Sequence, residues 1–157
     1  QTLMAEVDFL AGPKEWFGTD SWDGYPVARR RLLDGVATHR PANPVMLGGD
    51  LHSFWVTDLK SNFSDELSPT LATEFVTTSI TSDPVPEPYI EGAVSINPHV
   101  RYATERHRGY LGFDLKPRRL TADLRYVDSV IDPSSGCATL ASFVVENGRP
   151  GAIQRST

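Results

Sequence analysis

The sequence predicts a mixed α/β fold of the α+β kind, two packed sheets with helices outside and an antiparallel meander at the C-terminal end. Three observations carry this expectation. An apolar helical stripe is followed by an apolar run ending in Gly48-Gly49, the strand–helix–strand flavour of a layered protein. Residues 109–146 contain runs that alternate with period two and are separated by turn residues. Finally, 157 residues at 39% hydrophobic and 22% charged content suit one domain with its own core, not a disordered chain.

Residues 1–10 place Leu3, Val7 and Leu10 at helical spacing with no N-cap ahead, and read as the end of a helix already under way. Gln1 is not an initiator methionine and no signal-like segment precedes the fold, so the expectation is a processed or trimmed piece of something longer. Residues 11–24, AGPKEWFGTDSWDG, form an aromatic, glycine-punctuated loop. Pro26 suits the first turn of a helix reaching about His39, with Val27, Leu32, Leu33 and Val36 as its apolar stripe. Pro41 and Pro44 stop it.

Residues 45–48 then read as a short buried strand and 52–59 as a second. Residues 72–79, ATEFVTTS, are rich in β-branched side chains and read as a third, in which Glu74 sits among apolar neighbours. DPVPEP at 83–88 is too proline-dense for regular structure and is expected to be a loop. The meander follows with strands at 109–115, 120–127 and 137–146, and Asn147-Gly148 turns into a last short segment. Cys137 lies near Ala138, Leu140 and Ala141 and is expected to be a buried, inert thiol.

Composition excludes some functions. No apolar stretch approaches the roughly 20 residues that span a bilayer. A net charge of −5 argues against nucleic acid as a partner. One cysteine allows no internal disulfide. There is no nucleophile elbow, phosphate-cradling glycine loop or pair of cysteines for zinc.

The candidate site residues fall in four places. Asp50 and His52 follow Gly48-Gly49 at the end of an apolar strand, where open α/β sheets bind ligands. A hard oxygen beside a borderline nitrogen is a metal-ligand pair by chemistry, though an incomplete one; the competing reading is a turn-capping Asp and a core His. Asn97-Pro98-His99 aims an amide and an imidazole from backbone that proline holds extended, or is simply a turn. Trp22-Asp23-Gly24-Tyr25 lines a pocket with flat surface while Asp23 fixes the loop, or packs on the core as a lid. Arg101, Arg106 and Arg108 surround His107 as a phosphate site or as a solvated face paired with Glu105.

Asn43-Pro44-Val45-Met46-Leu47-Gly48-Gly49-Asp50-Leu51-His52-Ser53 resembles the last metal-binding motif of the alkaline phosphatase D (PhoD-like) phosphoesterases. The resemblance extends in order through Trp22-Asp23-Gly24-Tyr25-Pro26, Thr73-Glu74-Phe75-Val76, Thr78-Ser79-Ile80, Asn97-Pro98-His99-Val100 and Arg108-Gly109-Tyr110. That family includes phosphatases, phosphodiesterases and a secreted bacterial phospholipase D. The resemblance implies a calcineurin-like metallophosphoesterase β-sandwich flanked by helices. It implies metal-dependent hydrolysis of phosphate mono- or diesters, phospholipids included, in a secreted or periplasmic setting. It makes Asp50 and His52 metal ligands, with calcium and ferric iron as the ions and other divalent metals as alternatives. His99 becomes a catalytic group, and Trp22, Asp23, Tyr25 and Asn97 substrate contacts.

Asp50 stands where the wider superfamily has the first histidine of Gly-His-x-His, and an oxygen there suits a harder ion. The family's earlier metal motifs are absent from residues 1–157, so the chain resembles the C-terminal part of a single metallophosphoesterase domain. Its expected partner is the N-terminal fragment of the same enzyme, without which it is expected to be inactive. Two competitors belong to other classes. One is a non-catalytic β-rich binding module in which Asp50 and His52 are structural; the other is a serine hydrolase using Ser53.

Overall fold

The structure is a computed structural model that describes residues 3–8, 21–84 and 86–156. Its first sheet contains β1 (Val45–Gly48), β2 (Phe54–Lys60), β3 (Thr70–Val76) and β4 (Val100–Thr104), in the order β1-β3-β2-β4. β1 runs parallel to β3 and the other pairings are antiparallel. The second sheet is the expected meander of β5 (Arg108–Lys116), β6 (Arg119–Val127), β7 (Cys137–Glu146) and β8 (Arg149–Gln154), in chain order. Two helices, α1 (Pro26–His39) and α2 (Glu87–Ile96), complete the elements, with a 3-10 turn at Trp22–Gly24.

Side-chain alternation divides the first sheet between two cores. Phe54 and Val56 of β2 and Phe75 of β3 face the second sheet, where they meet Ala122, Leu124, Ala141, Phe143 and Val145. Trp55 and Leu59 of β2, with Ala72 and Val76 of β3, point the other way, against Leu33 of α1, Ile90 and Ala93 of α2, and Leu3, Met4, Ala5 and Val7. β2 is buried on both faces from Phe54 to Leu59, the polar Thr57 and Asp58 included. Gly151, in the left-handed region at φ 104°, brings β8 close: its N–H donates to Thr73 Oγ1 at 2.9 Å.

Several expectations need correcting. Residues 3–8 are not helical; their N–H groups donate to side chains, which substitute for the carbonyls of a preceding turn. Residues 1, 2, 9 and 10, and 11–20 of the aromatic loop, lie outside the described residues. The proline-dense stretch is irregular at 83, 84 and 86 as expected, but its last two residues are helical, because Pro88 sits in the first turn of α2, where a missing N–H costs nothing. In α1 only Leu33 of the expected stripe is fully buried; Val27 is 81% exposed, and Arg29 is buried in its place. Cys137 is exposed at the start of β7, with its Sγ 3.6 Å from the Arg125 guanidinium. β4 has no counterpart in the sequence reading.

Candidate functional site

One end of the first sheet gathers the turns that follow β1, β3 and β4. The register fixes this: Gly48 pairs with Val76, Trp55 with Val76, and Phe54 with Thr104. Asp50 and His52 occupy the turn from β1 to β2, residues 77–84 leave β3, and residues 105–107 connect β4 to β5. Hydrogen bonds close the three turns on one another: Thr77 N donates to Gly48 O at 3.0 Å, and Thr78 Oγ1 to His107 O at 3.1 Å.

Both candidate ligands sit in strained backbone, as do Arg40 and Asn43 before β1. Asp50 has φ 71° and His52 φ 55°, both in the left-handed region that few non-glycine residues enter. Gly48 and Gly49, which precede them, do not adopt positive φ. A Cβ added at Gly49 meets Thr77 Cγ2 at an ordinary 3.6 Å.

His52 is held in one orientation. Its Nδ1–H donates to Asp83 O at 2.8 Å, and because a carbonyl can only accept, the proton is on Nδ1. In the neutral ring Nε2 then carries the lone pair. This is the arrangement of a metal-ligating imidazole, whose other nitrogen donates to a backbone carbonyl or carboxylate. Asp50 lies beside it with an exposed carboxylate. The donor chemistry fits a cation, but as a partial set: among the described residues no three His, Cys, Asp or Glu side chains converge as a metal cage.

The other predicted residues assemble elsewhere. His99 lies beyond the opposite end of β2, its carbonyl accepting from Asp58 N at 2.8 Å. Phe54 and Asp58 alone are separated by about 13 Å of strand. His99 Nε2–H donates to Glu6 O at 2.6 Å, and burial lowers its pKa from the ordinary imidazole value. The Asn97 amide accepts from Asp8 N at 3.1 Å and donates to Asp8 O and Ala93 O, each at 2.8 Å. Asp23 accepts from Val7 N at 3.5 Å and pairs with Arg29, which also holds Glu6 at 2.7 Å. Trp22 packs half-buried against the helix-side core, and Tyr25 caps α1 with 62% of its surface exposed. Asp23, Asn97 and His99 thus meet at residues 6–8, not at Asp50 and His52.

Glu74 completes this clamp. Its carboxylate, 1% exposed, accepts from Met4 N at 2.6 Å, Ala5 N at 3.1 Å and Thr57 Oγ1 at 2.9 Å. Burial pushes its pKa up to about 7, outweighing the hydrogen bonds and the nearby Arg29, which pull it down. Sequence reasoning marked Glu74 by its apolar strand; nothing in the text pointed to its partners. Ser53 is ruled out as a nucleophile by its surroundings. It is fully buried, donates to Leu51 O at 3.1 Å and accepts from Trp55 Nε1 at 2.7 Å.

A family model described as PhoD-like phosphatase matches residues 1–124. Alkaline phosphatase D of Bacillus subtilis (strain 168) is 31% identical over 154 residues, covering 96% of this chain and 26% of that protein. A solved structure described as "Structure of PhoD" superposes with a TM-score of 0.84 at 30% identity, over 99% of this chain and 30% of the other. The chain therefore spans about a quarter of the length of the curated relative it matches.

Proposed function

The chain belongs to the PhoD-like phosphatase family, and from that premise we propose that it forms the C-terminal part of a metal-dependent phosphoesterase site. The observation that carries this reading is His52, whose Nδ1–H is committed to Asp83 O, which leaves Nε2 as the ligating nitrogen of the neutral ring. Asp50 and His52 would hold the metal centre. The carboxylate oxygen suits a hard ion such as calcium; ferric iron at the imidazole follows from the family resemblance, with other divalent ions as alternatives. When bound, such a centre supplies Lewis acidity toward the phosphoryl oxygens and lowers the pKa of a bound water.

The chain's own contribution is pre-organisation. The turn after β1 presents both donors from backbone already held in the left-handed region. The hydrogen bond to Asp83 O fixes the ring plane and the tautomer. The remaining ligands come from polypeptide outside these residues, an N-terminal fragment of the same enzyme, which makes this chain inactive alone. The calcineurin-like sandwich and a secreted or periplasmic setting belong to the same reading.

Asp23, Asn97 and His99 act as the clamp on residues 6–8, a role their hydrogen bonds support better than substrate binding or proton transfer. Trp22 and Tyr25 keep a substrate-facing role in this reading, and phosphate mono- and diesters are the substrates. The test is His52→Ala in the intact protein, assayed on p-nitrophenyl phosphate and bis-p-nitrophenyl phosphate with metal content measured alongside. We expect loss of most turnover and of one bound metal with the fold retained. Near-normal hydrolysis would overturn the proposal.

A further inference from the structure

Arg108 has an unusual set of partners. Its Nη1 donates to His52 O at 3.0 Å, Ser79 Oγ at 2.8 Å and Ser82 O at 3.0 Å, and its Nη2 donates to Glu105 O. These acceptors come from all three turns at the site end of the first sheet, and none is a carboxylate. The solvated face paired with the Glu105 side chain, expected from the sequence, describes Arg106 instead, which contacts Glu87, Glu91 and Glu105.

Two of the acceptors bear directly on His52. One is the main-chain carbonyl of His52 itself, at a residue with φ 55°. The other is Ser82 O, next in the chain to Asp83, whose carbonyl accepts the imidazole N–H. Ser79 links them: its hydroxyl accepts from Arg108 and donates to Ser82 O at 2.7 Å. Residues 80–84 are otherwise exposed and irregular, with Ile80 74% in solvent, so their position depends on this bracing.

We propose that Arg108 is the positioning residue of the metal-binding imidazole, bracing both the His52 backbone and the loop whose carbonyl selects its tautomer. The inference rests on His52 being a ligand. It requires a guanidinium: a planar fork with five donors can serve three turns at once, whereas an ammonium offers three donors from a single point.

The experiment uses the intact protein stripped of metal, with Arg108→Lys and Arg108→Ala, and with Ser79→Ala should the arginine variants fold poorly. Imidazole 15N NMR reads the His52 tautomer in the metal-free state, and Mn2+ titration followed by electron paramagnetic resonance reads affinity. In the wild-type protein we expect the Nδ1–H form alone; in the variants, a mixture of tautomers and about 10- to 100-fold weaker Mn2+ binding. Wild-type-like tautomer and Mn2+ affinity in both arginine variants would overturn the positioning role while leaving His52 as a ligand. Unchanged Mn2+ binding by His52→Ala would instead overturn the ligand reading and this inference with it.

Discussion

Replacing Glu74 with Gln should change how stability depends on pH, and the size follows from its burial. The carboxyl goes from 4.5 in the unfolded chain to about 7 in the fold, a rise of about 2.5 units. At about 1.36 kcal/mol per unit, ionised Glu74 costs the native state about 3 kcal/mol. The sign follows from linkage. The folded protein binds more protons than the unfolded chain between these values, so the native state is favoured below pH 4.5 and loses that advantage as pH rises through 7.

Glu74→Gln keeps the shape and removes the titration. Urea denaturation of both proteins from pH 4.5 to 8 isolates the effect, because the other titrating groups are common to the pair. The variant should gain on the wild type by up to about 3 kcal/mol across that range. A gap that is constant, or that widens toward acid, would refute the reasoning. It would mean that Met4 N, Ala5 N and Thr57 Oγ1, the three donors on the carboxylate, keep it ionised despite its burial.

Asp50→Gly should relieve left-handed strain and raise stability by about 1 kcal/mol in denaturant titration, while phosphate-ester hydrolysis falls; unchanged activity would count against Asp50 as a ligand. Asn97→Ala removes three hydrogen bonds and should cost about 2–3 kcal/mol, with faster amide exchange at Asp8 and an unchanged KM. A raised KM at wild-type stability would return Asn97 to substrate binding. At Gly109 an added Cβ would lie 1.9 Å from Arg125 O, inside the β5–β6 ladder, so Gly109→Ala should lower the urea midpoint by an amount worth at least about 1–3 kcal/mol. A wild-type midpoint would contradict that geometry.

Most strands were legible because their environment leaves a pattern. Residues 109–115, 120–127 and 137–146 alternate since one face of their sheet is solvated, and α1 is bracketed by Pro26 and the prolines after His39. β4 was hidden because five residues of mixed burial carry no period, and α2 because Pro86 and Pro88 suggested a loop when one of them starts a helix. The site turn announced itself through Gly48-Gly49, although the strain lies at Asp50 and His52. What no local pattern could show was long-range partnership. Asn97 and His99 do point at one place, as the extended Asn-Pro backbone suggested, but residues 6–8 already fill it. Arg108 and Asp83 likewise act on His52 across 56 and 31 positions of chain.

The grip on residues 4–8 is mostly a grip on main-chain atoms, with N–H groups of Met4, Ala5, Val7 and Asp8 and the carbonyls of Glu6 and Asp8 all engaged. Side-chain identity along this stretch is therefore constrained by space at Met4, Ala5 and Val7, and hardly at all at the exposed Asp8. One residue type is barred for a different reason. Proline at position 4, 5, 7 or 8 deletes a donor that a side chain is waiting for, so among related chains this stretch can drift in composition yet should stay free of proline at those four positions.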